Sequence, residues 1–143
     1  MKRIIGYVPE LAELYEVLTA FEFLELVAGL YGIEPGIAAA RIPKMLAALG
    51  LEANMHQRMD TFSKGMRQKV LLISGLIHNP DILILDEPTA GLDPLASEIL
   101  KEKIIHEKKK GKLIMITSHL LSELDDLITE LIFMHDSKVQ FHQ

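Results

Sequence analysis

The feature that most constrains this chain is the seven-residue stretch Ile82-Leu83-Ile84-Leu85-Asp86-Glu87-Pro88, an unbroken apolar run that stops at two acids and a proline. Apolar residues without polar alternation suit a strand buried on both faces, the habit of parallel sheets that carry helices on either side. The run therefore predicts a strand that delivers two carboxylates together at its C-terminal end. That end is where open α/β sheets bind ligands. The plain alternative is a strand closing in a solvated acidic turn.

The remaining segments alternate in a way that places this strand in an α/β fold. Ile4 to Val8 reads as a strand closed by Pro9. Thr19, with Glu22 three residues on, forms a capping box for a helix that runs to Tyr31 and Gly32. A second helix is expected from Pro35 to Leu49 with Gly50 as its stop, and Pro43 inside it predicts a kink or break. Leu51 to Phe62 is polar and irregular, and a third helix runs from Ser63 to about His78, ended by Asn79-Pro80. Beyond the apolar run come a turn-rich loop from Pro88 to Pro94, a helix to about Lys110 stopped by Gly111, and a second buried strand from Leu113 to Thr117. A short helix from Leu120 to about Leu127 and two strands, Leu131 to Met134 and Val139 to Phe141, turning at Asp136-Ser137, complete the pattern. Residues 11–80 form a helical portion, with 1–10 and 81–143 contributing to one α/β core.

Composition narrows the function classes. At 143 residues the chain supports one modest domain, and 49% hydrophobic with 24% charged residues describes a globular chain rather than a disordered one. A net charge of −5 argues against a general nucleic-acid binder, whose footprint is basic. No cysteine is present, so disulfides, thiolate metal sites and cysteine nucleophiles are excluded, as befits a reducing compartment. No apolar run approaches the ~20 residues of a membrane span. Met1-Lys2-Arg3 is followed by no long apolar region, so it does not read as a secretory signal. Any membrane role is expected to come through a partner.

Three groups of residues carry possible chemistry. Asp86 and Glu87 can divide the work of nucleotide hydrolysis, one holding Mg²⁺ directly or through water and the other orienting or deprotonating the attacking water. Thr117-Ser118-His119 closes the next strand, so two adjacent parallel strands place polar groups at the same sheet edge, where His119 can bond a terminal phosphate or serve as a surface histidine. Ser63 and Gly65, opening a helix, offer a hydroxyl and backbone N–H groups to an anion, or else form an ordinary N-cap. Lys108, Lys109, Lys110 and Lys112 read as a solvated helix end rather than a nucleic-acid patch. His119 and Glu123 lie four apart but have no third ligand in register, which discounts a zinc site.

Taken together these residues resemble the ATP-binding cassette ATPases of ABC transporters, most of all bacterial exporter-type or multidrug-type cassettes. The resemblance implies a P-loop NTPase sheet with flanking helices and a helical subdomain, and the cofactors ATP and Mg²⁺. It makes Asp86 the Walker B aspartate that holds Mg²⁺, Glu87 the catalytic glutamate and His119 the switch histidine on the γ-phosphate. Ala90-Gly91-Leu92-Asp93 corresponds to the D-loop, with Asp93 bridging a dimer interface. Ser63-Lys64-Gly65-Met66 stands at the signature motif, with Lys64 in place of a glycine and Met66 in place of a glutamine. Glu10 stands where the Q-loop usually has glutamine and would sense nucleotide. The implied partners are a second ABC ATPase subunit in a head-to-tail dimer, with Ser63 and Gly65 acting on ATP held by the opposite subunit, and a transmembrane permease. The implied location is cytoplasmic, peripheral at the inner face of the membrane, without direct insertion.

One part of the pattern is missing. A cassette needs G-x-x-x-x-G-K-[ST], whose amides and lysine cradle phosphates. The only Gly-Lys pair, Gly111-Lys112, is followed by Leu113 and has His106 where the first glycine belongs. The chain is therefore expected to represent a cassette without its N-terminal P-loop part, and to be a poor ATPase alone. In the family fold the P-loop strand lies between the strand ending at Thr117 and the one near Leu131, so its loss is expected to leave two apolar edges unpaired or force a rearrangement, and either favours self-association. Two alternatives stand beside this reading. One is a non-catalytic module that lends its signature segment to a full-length partner. The other is an inert remnant.

Overall fold

The computed structural model describes residues 4–9, 16–119, 127–130, 132–136 and 138–142. Its centre is a three-stranded parallel sheet in the order β1 (Ile5–Val8), β2 (Ile82–Asp86), β3 (Leu113–Thr117). Between β1 and β2 the chain makes helices α1 (Ala20–Leu30), α2 (Pro35–Ala48) and α3 (Lys64–Leu76), with single 3-10 turns at Glu52–Asn54 and Met59–Thr61. Helix α4 (Pro94–Lys109) joins β2 to β3, and β4 (Ile132–His135) pairs antiparallel with β5 (Lys138–His142) as a separate ribbon.

The caps act as the sequence predicts. Thr19 Oγ1 accepts from Glu22 N–H at 3.1 Å and Glu22 Oε1 accepts from Thr19 N–H at 3.0 Å. The backbone and side-chain bonds to Thr19 hold the Glu22 carboxyl below its ordinary pKa. Gly50 and Gly111 end their helices with φ of +75° and +88°. Pro43 does not break helix α2, which continues through it to Ala48. Burial of Ala38, Ile42 and Leu46 along one stripe of α2 outweighs the single hydrogen bond that the proline forfeits. The helix expected from Leu120 falls mainly outside the described residues.

Helix α3 is the hub. Val70, Leu71, Leu72, Ile73, Leu76 and Ile77 are all buried, shared among α1, α2 and the sheet. It reaches β1 backbone to backbone: a Cβ on Gly6 would overlap the Gly75 carbonyl oxygen and lie 2.9 Å from Pro80 Cγ, and one on Gly75 would come within 2.7 Å of Val8 Cγ2. The C-terminal end of α3 is tied down by Arg41 Nη1, which donates to Ile77 O at 2.6 Å, and by His78 Nε2, which donates to Ile5 O at 2.9 Å. The His78 ring stacks on Tyr31 at 3.8 Å, and its burial lowers the imidazole pKa.

The strands are not buried on both faces as their sequences suggest. Gly6, Val8, Leu83 and Leu85 are buried under α3, whereas Ile82 and Ile84 are half-exposed and Tyr7, Leu113 and Met115 are 54%, 59% and 53% exposed. The reason is that no element among the described residues packs on the second face.

The lysine run is anchored rather than simply solvated. Glu107 is buried and pairs with Lys103 at 3.1 Å and Lys110 at 3.5 Å, Lys108 Nζ donates to Leu127 O at 3.2 Å, and Lys112 Nζ donates to Asn79 Oδ1 at 2.8 Å and to Pro80 O.

Two glycines separate close packing from open space. Gly6→Ala should cost about 2 kcal/mol or more, because backbone atoms cannot yield to the new methyl. Gly29→Ala, with nothing within 4 Å of the added Cβ, should instead gain about 0.5 kcal/mol as a helical glycine replaced. Urea unfolding of the two variants beside the parent distinguishes the cases.

Candidate functional site

The acidic turn is built by pairing β2 with β3. Their register sets Asp86 opposite Thr117 at the C-terminal edge of the sheet. Thr117 Oγ1 donates to Asp86 Oδ1 at 2.5 Å and accepts from Glu87 N–H at 3.1 Å, while Thr117 O accepts from the same N–H at 3.1 Å. One threonine thus fixes both acids. Glu87 has φ of +47°, a left-handed conformation that costs a non-glycine residue about 1 kcal/mol and survives only where neighbours hold it. The two bonds from its N–H provide that hold. The sequence reading noted Thr117 as a polar strand end. Its double bond to the acids follows from pairing register, which residue type alone does not reveal.

His119 follows on the same edge. Its Nδ1 lies 2.6 Å from Glu87 Oε1; the imidazole is 92% exposed and the glutamate side chain 13%. Glu87 is thus held back from solvent while the histidine lies open beside it. Asp86 and Glu87 supply hard carboxylate oxygens of the kind Mg²⁺ takes in company with water and phosphate. No group of three or more metal-ligating side chains occurs among the described residues.

A second group forms at the N-termini of α3 and α4. Ser63 Oγ accepts from Met66 N–H at 3.2 Å, and Asp93 Oδ1 accepts from Ala96 N–H at 2.8 Å, each capping its own helix. The two helix starts meet where Gly65 faces Ala96, leaving 3.0 Å for an added Cβ. Lys64, the departure from the signature pattern, lays its ammonium end over Gly91, whose φ is +70°. The loop between the groups is a chain of turns, with Ala90 N–H bonded to Glu87 O and Leu92 N–H to Thr89 O, both at 3.2 Å. The structure therefore gathers Asp86, Glu87, Thr117 and His119 at the sheet edge, and Ser63, Lys64, Gly65, Gly91 and Asp93 at the helix starts. Glu10 lies outside the described residues.

Comparison with known proteins bears on the family and the fold. Residues 1–90 match the family model described as ABC transporter, and the chain belongs to that family. It is 43% identical over 129 residues to an uncharacterized ABC transporter ATP-binding protein of Nostoc sp., covering 89% of this chain and 38% of that protein. It is 40% identical over 126 residues to the ABC transporter ATP-binding protein NatA of Bacillus subtilis, covering 88% and 51%. A solved ATP-binding subunit of an ABC transporter superimposes with a TM-score of 0.86 at 35% identity, covering 99% of this chain and 59% of that one. The chain thus spans about half or less of the length of these curated relatives, and the α/β parallel sheet with flanking helices is the fold of an ABC ATPase domain.

Thr117→Val keeps the shape and removes both side-chain bonds. It should lower stability by about 1 kcal/mol and speed exchange of the Glu87 amide, and Thr117→Ser should restore both. Hydrogen exchange followed by NMR reads the result, and an unchanged Glu87 amide would show that the hydroxyl does not hold the turn.

Proposed function

We propose that this sequence is the catalytic-edge portion of an ABC transporter ATP-binding protein, which in intact form couples MgATP binding and hydrolysis to transport across a membrane. The observation that carries the reading is the Thr117-clamped pair Asp86 and Glu87, an ordered carboxylate couple at the ligand-binding edge of a parallel sheet. When bound, MgATP supplies the phosphoryl group. Asp86 would hold Mg²⁺ through a carboxylate oriented by Thr117. Glu87 would orient a water and take its proton at the carboxylate. His119 Nδ1 lies 2.6 Å from Glu87 Oε1, beside that base. In its switch role it would turn to the γ-phosphate, a motion its exposure permits.

The residues do not fit the phosphate side of such a site. The sequence contains no G-x-x-x-x-G-K-[ST] loop, and amides plus lysine supply most of the charge stabilisation in phosphoryl transfer. A phosphate cradle must therefore come from residues outside these 143.

In the head-to-tail dimer implied by the resemblance, Ser63 and Gly65 would act on nucleotide held by the opposite subunit and Asp93 would bridge the interface. Glu10 would be the nucleotide-sensing contact, and a permease would bring the protein to the cytoplasmic face of the membrane. No helix among the described residues is long and apolar enough to cross a membrane. A second reading is a module that lends Ser63, the N-cap of α3, to a full-length partner without catalysis of its own.

Glu87→Gln retains an acceptor for His119 and removes the base. In a full-length cassette carrying this sequence it should lower MgATP turnover at least about 100-fold while leaving nucleotide binding in place. Unchanged turnover would overturn the catalytic assignment. Turnover that responds to Ser63→Ala but not to Glu87→Gln would favour the lending module.

A further inference from the structure

Lys64 departs from the signature pattern and takes no part in the chemistry assigned to Ser63 and Gly65. It is the first residue of α3, where a cation faces the positive end of the helix dipole. Its ammonium joins none of the ion pairs found among the described residues. Charge alone therefore gives it no reason to stand there.

Packing does. Helical side chains lean toward the N-terminus of their helix, so the side chain of a first residue projects past the helix end. For Lys64 that direction leads to the loop between Pro88 and Asp93. A Cβ added to Gly91 would overlap Lys64 Nζ and lie 3.3 Å from its Cε and 3.7 Å from its Cδ. Three successive atoms of the lysine thus follow the one glycine of the loop. Gly91 meets two demands at once, a φ of +70° and room for this side chain.

Gly65 makes the complementary contact, because a Cβ added there would lie 3.0 Å from Ala96 Cβ in the first turn of α4. The two residues that open α3 therefore bracket Asp93, Lys64 at Gly91 on one side and Gly65 at Ala96 on the other. Asp93 Oδ1 accepts from Ala96 N–H at 2.8 Å, so the cap of α4 sits inside the bracket. The same loop runs back to the acids, with Leu92 N–H bonded to Thr89 O and Ala90 N–H bonded to Glu87 O. A glycine at position 64 would leave only the Ala96 side of the bracket.

We propose that Lys64 is a positioning residue whose aliphatic stem seats the 88–93 loop on the start of α3, linking Ser63, Asp93 and Glu87 within one chain. The seating is a packing contact and needs no nucleotide. Its bearing on catalysis rests on the role given to Glu87 under the proposed function.

The test is hydrogen exchange, followed by NMR, of the full 143-residue chain without nucleotide. Lys64→Ala removes the stem and keeps a good helix former, so the Ala90 and Leu92 amides should exchange at least about threefold faster. The Met66 amide, bonded to Ser63 Oγ, should keep its rate. Lys64→Met returns an unbranched stem without the charge and should restore the parent rates at Ala90 and Leu92. Unchanged Ala90 and Leu92 amides in Lys64→Ala would overturn the proposal. So would acceleration at Met66 as well, which would reduce Lys64 to a support of its own helix, or a failure of Lys64→Met to restore the rates, which would make the ammonium the operative group. In a full-length cassette carrying this sequence, Lys64→Ala should lower kcat at least about threefold at unchanged KM for MgATP. A raised KM at unchanged kcat would contradict positioning and make Lys64 a ligand contact. The exchange measurement contains no nucleotide, so it reads the seating whether or not Glu87 proves to be the base.

Discussion

The contact on which most of this structure depends is the seating of α3 on β1 through Gly6 and Gly75. Two glycines remove the side chains that would hold a helix away from a strand, so the backbones meet. Arg41 and His78 fasten the same junction from α2 and from the turn after α3. With α3 fixed there, its apolar face gathers α1 and α2 on one side and its N-terminal Ser63 is delivered to the start of α4 on the other. The strand that packs under α3 also sets the register of β2, and thereby the position of Asp86 and Glu87.

The second constraint is local and concerns charge. Two adjacent carboxylates at a strand end repel each other and prefer independent solvation, and Glu87 adopts a backbone conformation that disfavours its side chain. Thr117 resolves both difficulties by donating to Asp86 and accepting from the Glu87 N–H. His119 then shares the exposed side of Glu87. The edge is consequently an ordered pair of acids with different hydrogen-bonding neighbours. The helix-start group is built by separate means, two N-caps and a Gly65–Ala96 contact.

Much of this was legible in the sequence because it rests on local chemistry. The Thr19–Glu22 capping box, the stops at Gly50 and Gly111, and the acids at the end of Ile82–Leu85 all follow from short-range rules. The candidate residues Asp86, Glu87 and His119 were likewise visible as polar ends of adjacent strands. The features that escaped depend on what lies across the fold. Pro43 predicted a kink or break, and the absence of the break was hidden because the sequence shows the lost hydrogen bond but not the burial of Ile42 and Leu46 that offsets it. The apolar strands predicted two covered faces because composition reports an appetite for burial, whereas Tyr7, Leu113 and Met115 on the second face are exposed. Lys64 over Gly91 is a long-range contact that no spacing rule yields.

The central claim is that these residues hold the metal and water side of an ABC nucleotide site while the phosphate cradle lies elsewhere. Calorimetric titration of the purified chain with MgATP tests it most directly. The account predicts no binding heat up to about millimolar nucleotide, because the amides and lysine that carry phosphate affinity are not in this sequence. Micromolar binding by the chain alone would contradict it, and would mean that a phosphate-binding loop of another kind exists within these residues.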